Sequence, residues 1–125
     1  MRIYLSGPIT NEPNYRRNFA AAEQILSELG HTDIINPAEL HRVMPCIDKM
    51  DHEETIQLCF DFLNRCDAMV LLPGWQKSTG CMAEWGYAHG CDHIIIVEFE
   101  DFISSKKRRC ARSPKKNSYK KISKN

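Results

Sequence analysis

The sequence predicts an α/β fold: an open parallel sheet of four to five strands with helices on both faces. Three observations carry this reading. Short β-type apolar runs alternate with stretches of helical periodicity along residues 1–100. The run at His93–Val97 is nearly continuous in apolar residues, as in a strand covered on both faces. The strand-like runs also end in Gly-Pro, Asn-Pro or Pro-Gly, which stop one element before the next begins.

Taken in order, Arg2–Ser6 reads as a first strand, closed by Gly7-Pro8. Asn11, Pro13 and Asn14 make a turn. Phe19, Ala22, Ile25, Leu26 and Leu29 then recur at helical spacing over about Tyr15–Leu29, with Gly30 at the C′ position. Asp33–Asn36 is a short second strand, ended by Pro37. Residues 38–51 read as loop with a short helix, because Pro45 interrupts any longer pattern. A second long helix spans about His52–Arg65, with Ile56, Cys59, Phe60, Leu63 and Cys66 on one stripe. Asp67 leads into a third strand, Ala68–Leu72. A helix over about Thr79–His89 ends at Gly90, and His93–Val97 is the fourth strand. This is the order of a flavodoxin-like or Rossmann-like core, in which ligands bind beyond the carboxyl ends of the strands. Those ends are Gly7-Pro8-Ile9-Thr10, Asn36-Pro37 and Pro73 to Ser78.

The 125 residues suffice for one domain with one modest core. No run of eighteen apolar residues suggests a membrane span, and Met1–Gly7 reads as a strand rather than a signal peptide. The six cysteines (46, 59, 66, 81, 91, 110) show no CxxC pair, and several fall within apolar segments, which suits reduced thiols in the cytoplasm. Cys91-x-His93 lacks a partner pair for zinc, so neither a metal nor a cofactor is expected.

The formal net charge of +1 hides a division. Residues 1–103 hold seven Lys/Arg against sixteen Asp/Glu, a net −9, whereas residues 104–125 hold ten basic residues and no acid. The reading is an acidic domain over 1–103 and a polybasic, disordered tail over 104–125. Such a tail suits a nucleic acid or an acidic partner, but Tyr119 alone interleaves it with an aromatic ring. A solvated or non-native extension that partly neutralises the body is the plainer reading.

The most informative segment runs from Leu71 to Ala88. An apolar run breaks at Pro73-Gly74, passes through a small polar loop and enters a helix, so backbone N–H groups and hydroxyls face a small anionic ligand. Glu84 stands in the first turns of that helix, six residues after Ser78 and four after Gly80. A carboxylate there would repel a phosphate, which makes it a chemical group rather than an anion-binding one.

Four motifs in order resemble the nucleoside 2-deoxyribosyltransferase-like superfamily: Ile3-Tyr4-Leu5-Ser6-Gly7-Pro8-Ile9; Asn36-Pro37-Ala38-Glu39-Leu40; Cys66-Asp67-Ala68 through Leu72-Pro73-Gly74-Trp75; and Ser78-x-Gly80-x-x-x-Glu84-x-Gly86-x-Ala88. The likeness covers about residues 1–100. Within the superfamily it is to a small branch of bacterial and phage proteins of undefined function, related to the 2′-deoxynucleoside 5′-monophosphate N-hydrolases. The resemblance implies Glu84 as the nucleophile that attacks C1′ of the sugar, and Tyr4 as the residue that orients it. It implies that Gly7, Ile9 and Thr10 line the sugar and base pocket. At Ser78 the transferases carry an aspartate for a free 5′-hydroxyl and the hydrolases a serine for a 5′-phosphate, so a nucleoside monophosphate is the implied substrate. A homo-oligomer is also implied, since the family completes its pocket with a neighbouring chain.

The chemistry stands beside the resemblance. Breaking an N-glycosidic bond builds positive charge at C1′, which a carboxylate stabilises or captures. A second group must protonate the departing base. The deoxyribosyl enzymes of the family carry an aspartate for contact with the base or its protonation, eight residues before the strand-leading aspartate (here Asp67), where this chain has Cys59. Asp61 lies roughly 200° away around the helix at about 100° per residue. Asp67, His41, Asp48 or no residue at all are the alternatives for the acid.

Each site residue has a structural reading beside the functional one. Glu84 could favour the helix dipole, Ser78 could be an N-cap, Tyr4 could pack on the sheet, and Asp67 could bind backbone at a strand start. Trp75 could stack on a base or shield the sheet edge, and Gly80 lies in the phosphate loop with Lys77 as its one base. The expected function is an N-glycosidase, hydrolase or transferase, acting on a (deoxy)nucleoside 5′-monophosphate. The alternatives are a nucleotide-binding or regulatory module that has lost the chemistry, and a partner-binding protein acting through its basic tail.

Overall fold

The structure, a computed structural model, describes the backbone of residues 1–111 and the side chains of residues 1–105. Among the described residues one parallel sheet holds β1 (Ile3–Ser6), β2 (Ile34–Ile35), β3 (Ala68–Leu71) and β4 (Ile95–Glu98), in the order β2-β1-β3-β4. The helices are α1 (Tyr15–Glu28), a short α2 (Leu40–Val43), α3 (His52–Asn64), α4 (Thr79–His89) and α5 (Phe99–Ala111). The α/β class and the parallel sheet are those the sequence predicts. Strand and helix ends shift by one or two residues.

β1 is fully buried: Ile3, Tyr4 and Leu5 are 0% exposed and Ser6 1%. Its central place explains this, because side chains alternate between two covered faces. Ile3 and Leu5 join Phe19, Ala22 and Leu26 of α1 and Phe102 of α5 in one apolar layer. Tyr4 joins Met69, Leu71 and Ile96 in the other, under Cys59 and Leu63 of α3 and Cys81 and Ala88 of α4. Helices therefore cover both faces.

The helix ends follow from local chemistry. Gly30, at φ 99°, closes α1 as the sequence predicts. A capping box starts α3: Asp51 Oδ1 accepts from Glu54 N at 2.8 Å, and Asp51 N donates to Glu54 Oε1 at 3.0 Å. Residues 37–49 hold two 3₁₀ turns, Pro37–Glu39 and Pro45–Lys49, around α2. Each begins at a proline, whose fixed φ and missing N–H suit a first helical position.

α5 changes one expectation. The shift in composition places the start of the tail at Ser104, yet α5 runs through that residue to Ala111 and Ser105 is buried. Phe99, Phe102 and Ile103 fasten its first turns to the sheet, and the lysines and arginines that follow have good helix propensity. Residues 112–125, with the expected disorder and basic contacts, lie outside the described residues. Among the described residues no helix is long and apolar enough to cross a membrane.

The strand order reverses between β1 and β3, so their carboxyl ends, paired at Ser6 and Leu71, frame the crevice where such sheets bind ligands. Gly7 keeps that edge tight. A Cβ on Gly7 would stand 3.0 Å from Leu72 Cβ and Cδ1 and 3.2 Å from Phe19 Cζ. Gly7→Ala is therefore expected to destabilise the domain by about 1–3 kcal/mol through overpacking. Denaturant unfolding checks it: the midpoint should fall with the slope unchanged, and a midpoint equal to wild type would refute the tight contact.

Candidate active site

Strand alternation puts Tyr4 and Ser6, two residues apart, on the face of β1 that meets α4. Glu84 lies one helical turn into α4 and points back at them. Tyr4 Oη donates to Glu84 Oε2 at 2.6 Å, and Ser6 Oγ donates to Glu84 Oε1 at 2.6 Å. Both lie at the short end of the O–H···O range, about 2.5–3.0 Å. Glu84 is 8% exposed and both donors are buried. The arrangement is a carboxylate held by both oxygens at the carboxyl edge of the central strand.

Two thiols complete the surroundings. Cys59 of α3 lies against Tyr4 and Glu84, and Cys81 of α4 lies near Ser6 and Ser78. Burial, and then the Glu84 charge, push the Cys59 thiol up to about 11, so it stays protonated at neutral pH. Burial and Glu84 likewise hold the Tyr4 phenol well above its usual value, which keeps it a donor. For Glu84, burial raises the carboxyl, against the pull of the Ser6, Tyr4 and Cys59 hydrogen bonds. Among the described residues, the side chains that hydrogen-bond this carboxylate are the Tyr4 and Ser6 hydroxyls and the Cys59 thiol.

The raised carboxyl makes stability depend on pH. Its contribution is fully present below the unfolded value, about 4.3, and is lost as pH rises through the higher folded value. Glu84→Gln keeps the shape without the charge. It should therefore melt above wild type at pH 8, by a margin that shrinks towards pH 4. Melting temperatures across that range test it, and a margin independent of pH would remove the buried charge as its cause.

The other sequence candidates divide. Ser78 is the N-cap of α4, its Oγ accepting from Cys81 N at 3.2 Å, so the cap role is realised. Gly80 follows in the first turn of α4, and Ile9 and Thr10 are exposed on the loop after β1. Trp75 is 8% exposed and packs in the α3/α4 layer, with its ring 6.3 Å from that of Trp85. The Trp75 indole N–H is buried and has no partner among the described residues.

Asp67 stands apart. It lies at the opposite, amino end of β3, where its Oδ2 accepts from Arg2 N at 2.7 Å. With four strand residues between it and the crevice, roughly 13 Å of β3 separates it from the edge Glu84 occupies. Its structural reading is the one realised, and it cannot serve as the acid there. Asp61 is exposed while Cys59 on the same helix is buried, as the angle between them requires. His41 Nδ1 binds Ala38 O at 3.1 Å and Asp48 is exposed; neither bonds Glu84 among the described residues.

Ser6 is the site residue that the sequence reading did not single out. The signal was present: one polar residue two places after Tyr4 on an otherwise apolar strand. Among the described residues no group of three or more His, Cys, Asp or Glu is placed to hold a metal.

No curated protein and no solved structure matches the chain. A family model does, described as Domain of unknown function (DUF4406), over residues 1–97. That match spans β1, Glu84 and the elements that join them, so the chain belongs to the DUF4406 family.

Proposed function

We propose that the protein is a small cytosolic N-glycosidase acting on a (deoxy)nucleoside 5′-monophosphate, with Glu84 as its nucleophile. One observation carries the reading: a buried carboxylate whose two oxygens accept 2.6 Å bonds from Tyr4 and Ser6 at the crevice between β1 and β3. Holding both oxygens fixes the carboxylate plane and leaves lone pairs free for a carbon electrophile. Glu84 forms the bond to C1′ as the C1′–N bond breaks, and the base leaves with that electron pair and takes up a proton from water. Water, or a second base, then displaces Glu84.

The resemblance of the four motifs to the nucleoside 2-deoxyribosyltransferase-like superfamily supports this substrate class. Ser78 at the start of an eleven-residue helix supports a 5′-phosphate, since the hydroxyl hydrogen and the free N–H groups of the first turn are donors. The buried, unpartnered Trp75 N–H supports a site completed by a ligand or by a second subunit, because an unsatisfied buried donor costs about 1–3 kcal/mol.

Cys59 favours a second reading. Its neutral thiol is a poor acid for a departing base, which suits a module that binds a nucleotide without cleaving it. A panel of deoxynucleoside and ribonucleoside monophosphates, incubated with the protein and chromatographed for free base, separates the two. Base release supports the enzyme. A nucleotide that raises the melting temperature with no base released supports the binding module and defeats the enzyme.

A further inference from the structure

The proton supply around Glu84 decides which base can leave. Tyr4 and Ser6 each carry one hydroxyl hydrogen, and both hydrogens go to Glu84 at 2.6 Å. The Cys59 thiol is turned to the same carboxylate. A hydrogen donated there is not offered to a departing base. Outright proton transfer from these groups is uphill as well. Burial and the Glu84 charge push the Cys59 thiol up to about 11 and hold the Tyr4 phenol well above its usual value.

Stronger acids stand elsewhere. All sixteen Asp/Glu and all five His fall within residues 1–105, whose side chains are described, so the undescribed side chains include none. At the amino edge of the sheet, Asp67 accepts from Arg2 N and His93 Nε2 binds Asn64 O. On the carboxyl side, Asp51 and Glu54 cap α3 through each other, and His41 Nδ1 binds Ala38 O. Among the described residues no carboxyl or imidazole group hydrogen-bonds Glu84.

A poor acid defeats only a base that needs one. A ring that is already positive needs none: when the C1′–N bond breaks, the electron pair cancels the ring's charge and the base departs neutral. A positive ring beside Glu84 also favours the ionised carboxylate, against the burial that raises it. A neutral base offers neither advantage and must draw its proton from water. We propose, building on Glu84 as the nucleophile, that the substrate of this crevice is a nucleoside 5′-monophosphate whose base is quaternised: an N-glycosyl pyridinium or an N7-alkylated purine. Glu84 bonds to C1′ as the C1′–N pair passes to the ring. A water oxygen then bonds to C1′, the bond from C1′ to Glu84 breaks with its pair returning to the carboxylate, and the water gives one proton to solvent. The products are a neutral base, a sugar 5-phosphate and that proton.

Base release by the full chain tests this with two cationic probes, nicotinamide mononucleotide and 7-methylguanosine 5′-monophosphate, beside guanosine and cytidine 5′-monophosphates. Loss of base in buffer alone is subtracted. For each cationic probe kcat/KM should exceed that for both neutral nucleotides by at least about 10²-fold, the lower end of what a general acid contributes. With nicotinamide mononucleotide, kcat/KM should rise as Glu84 ionises and then stay level to about pH 9, because no catalytic acid is there to lose its proton. A smaller preference, or a falling limb below that pH, would overturn the proposal and leave the N-glycosidase reading standing. No base from any of the four would overturn both.

Discussion

Glu84→Ala and Glu84→Gln are expected to lower base release from a deoxynucleoside 5′-monophosphate by at least about 10³-fold, as removal of a covalent nucleophile does. The two variants fail for different physical reasons. Alanine removes the group, while glutamine keeps the shape but cannot offer an anionic oxygen to C1′. Tyr4→Phe and Ser6→Ala remove one donor each and leave the carboxylate in place. They should cost less, on the order of 10- to 100-fold, mainly through lost orientation. A graded series with both Glu84 variants at the bottom identifies the nucleophile. Full activity in Glu84→Ala would end the mechanism, and equal losses in all four would point to one collapsed hydrogen-bond unit instead. Melting curves on the same samples separate collapse from chemistry, because Glu84→Gln is expected to gain stability at neutral pH while it loses activity.

How much of this was legible in the sequence depends on how local each signal is. The strands, the long helices and the loop before Glu84 are written in neighbouring residues, through periodicity and through Pro and Gly. The meeting of Tyr4 with Glu84, eighty positions apart, is not local, and a likeness of motifs was needed to suggest it. Ser6 was readable in principle from the two-residue alternation. Its value appears only once α4 is known to lie over that face. Asp67 shows the opposite error: closeness in number to an apolar strand says nothing about which end of the sheet a residue occupies. It precedes β3, so it belongs to the amino edge, while parallel strands gather their ligands at the other. α5 was missed because charge in the residues that follow masks three apolar anchors in its first turns.

Those anchors set the other large expected effect. Phe102 is fully buried and packs with Ile3, Leu5, Val70 and Val97, although it lies beyond the segment that the family model matches. Phe102→Ala leaves a cavity under α5 and should cost about 3–5 kcal/mol. That is a large share of the roughly 5–15 kcal/mol a domain of this size holds, and lowers the melting temperature by on the order of 15 °C. Ser104→Ala, on the exposed side of the same helix, is the control and should stay within about 0.5 kcal/mol. The contrast follows from the sheet itself. Ala68, Val70 and Val97 face the α1/α5 layer, and α5 with Phe99, Phe102 and Ile103 is what shields them beside α1. If Phe102→Ala unfolds at the wild-type denaturant midpoint, α5 is an appendage and the domain ends at β4. If it unfolds early while Ser104→Ala does not, α5 is part of the core and fixes the wall on which Phe99 stands.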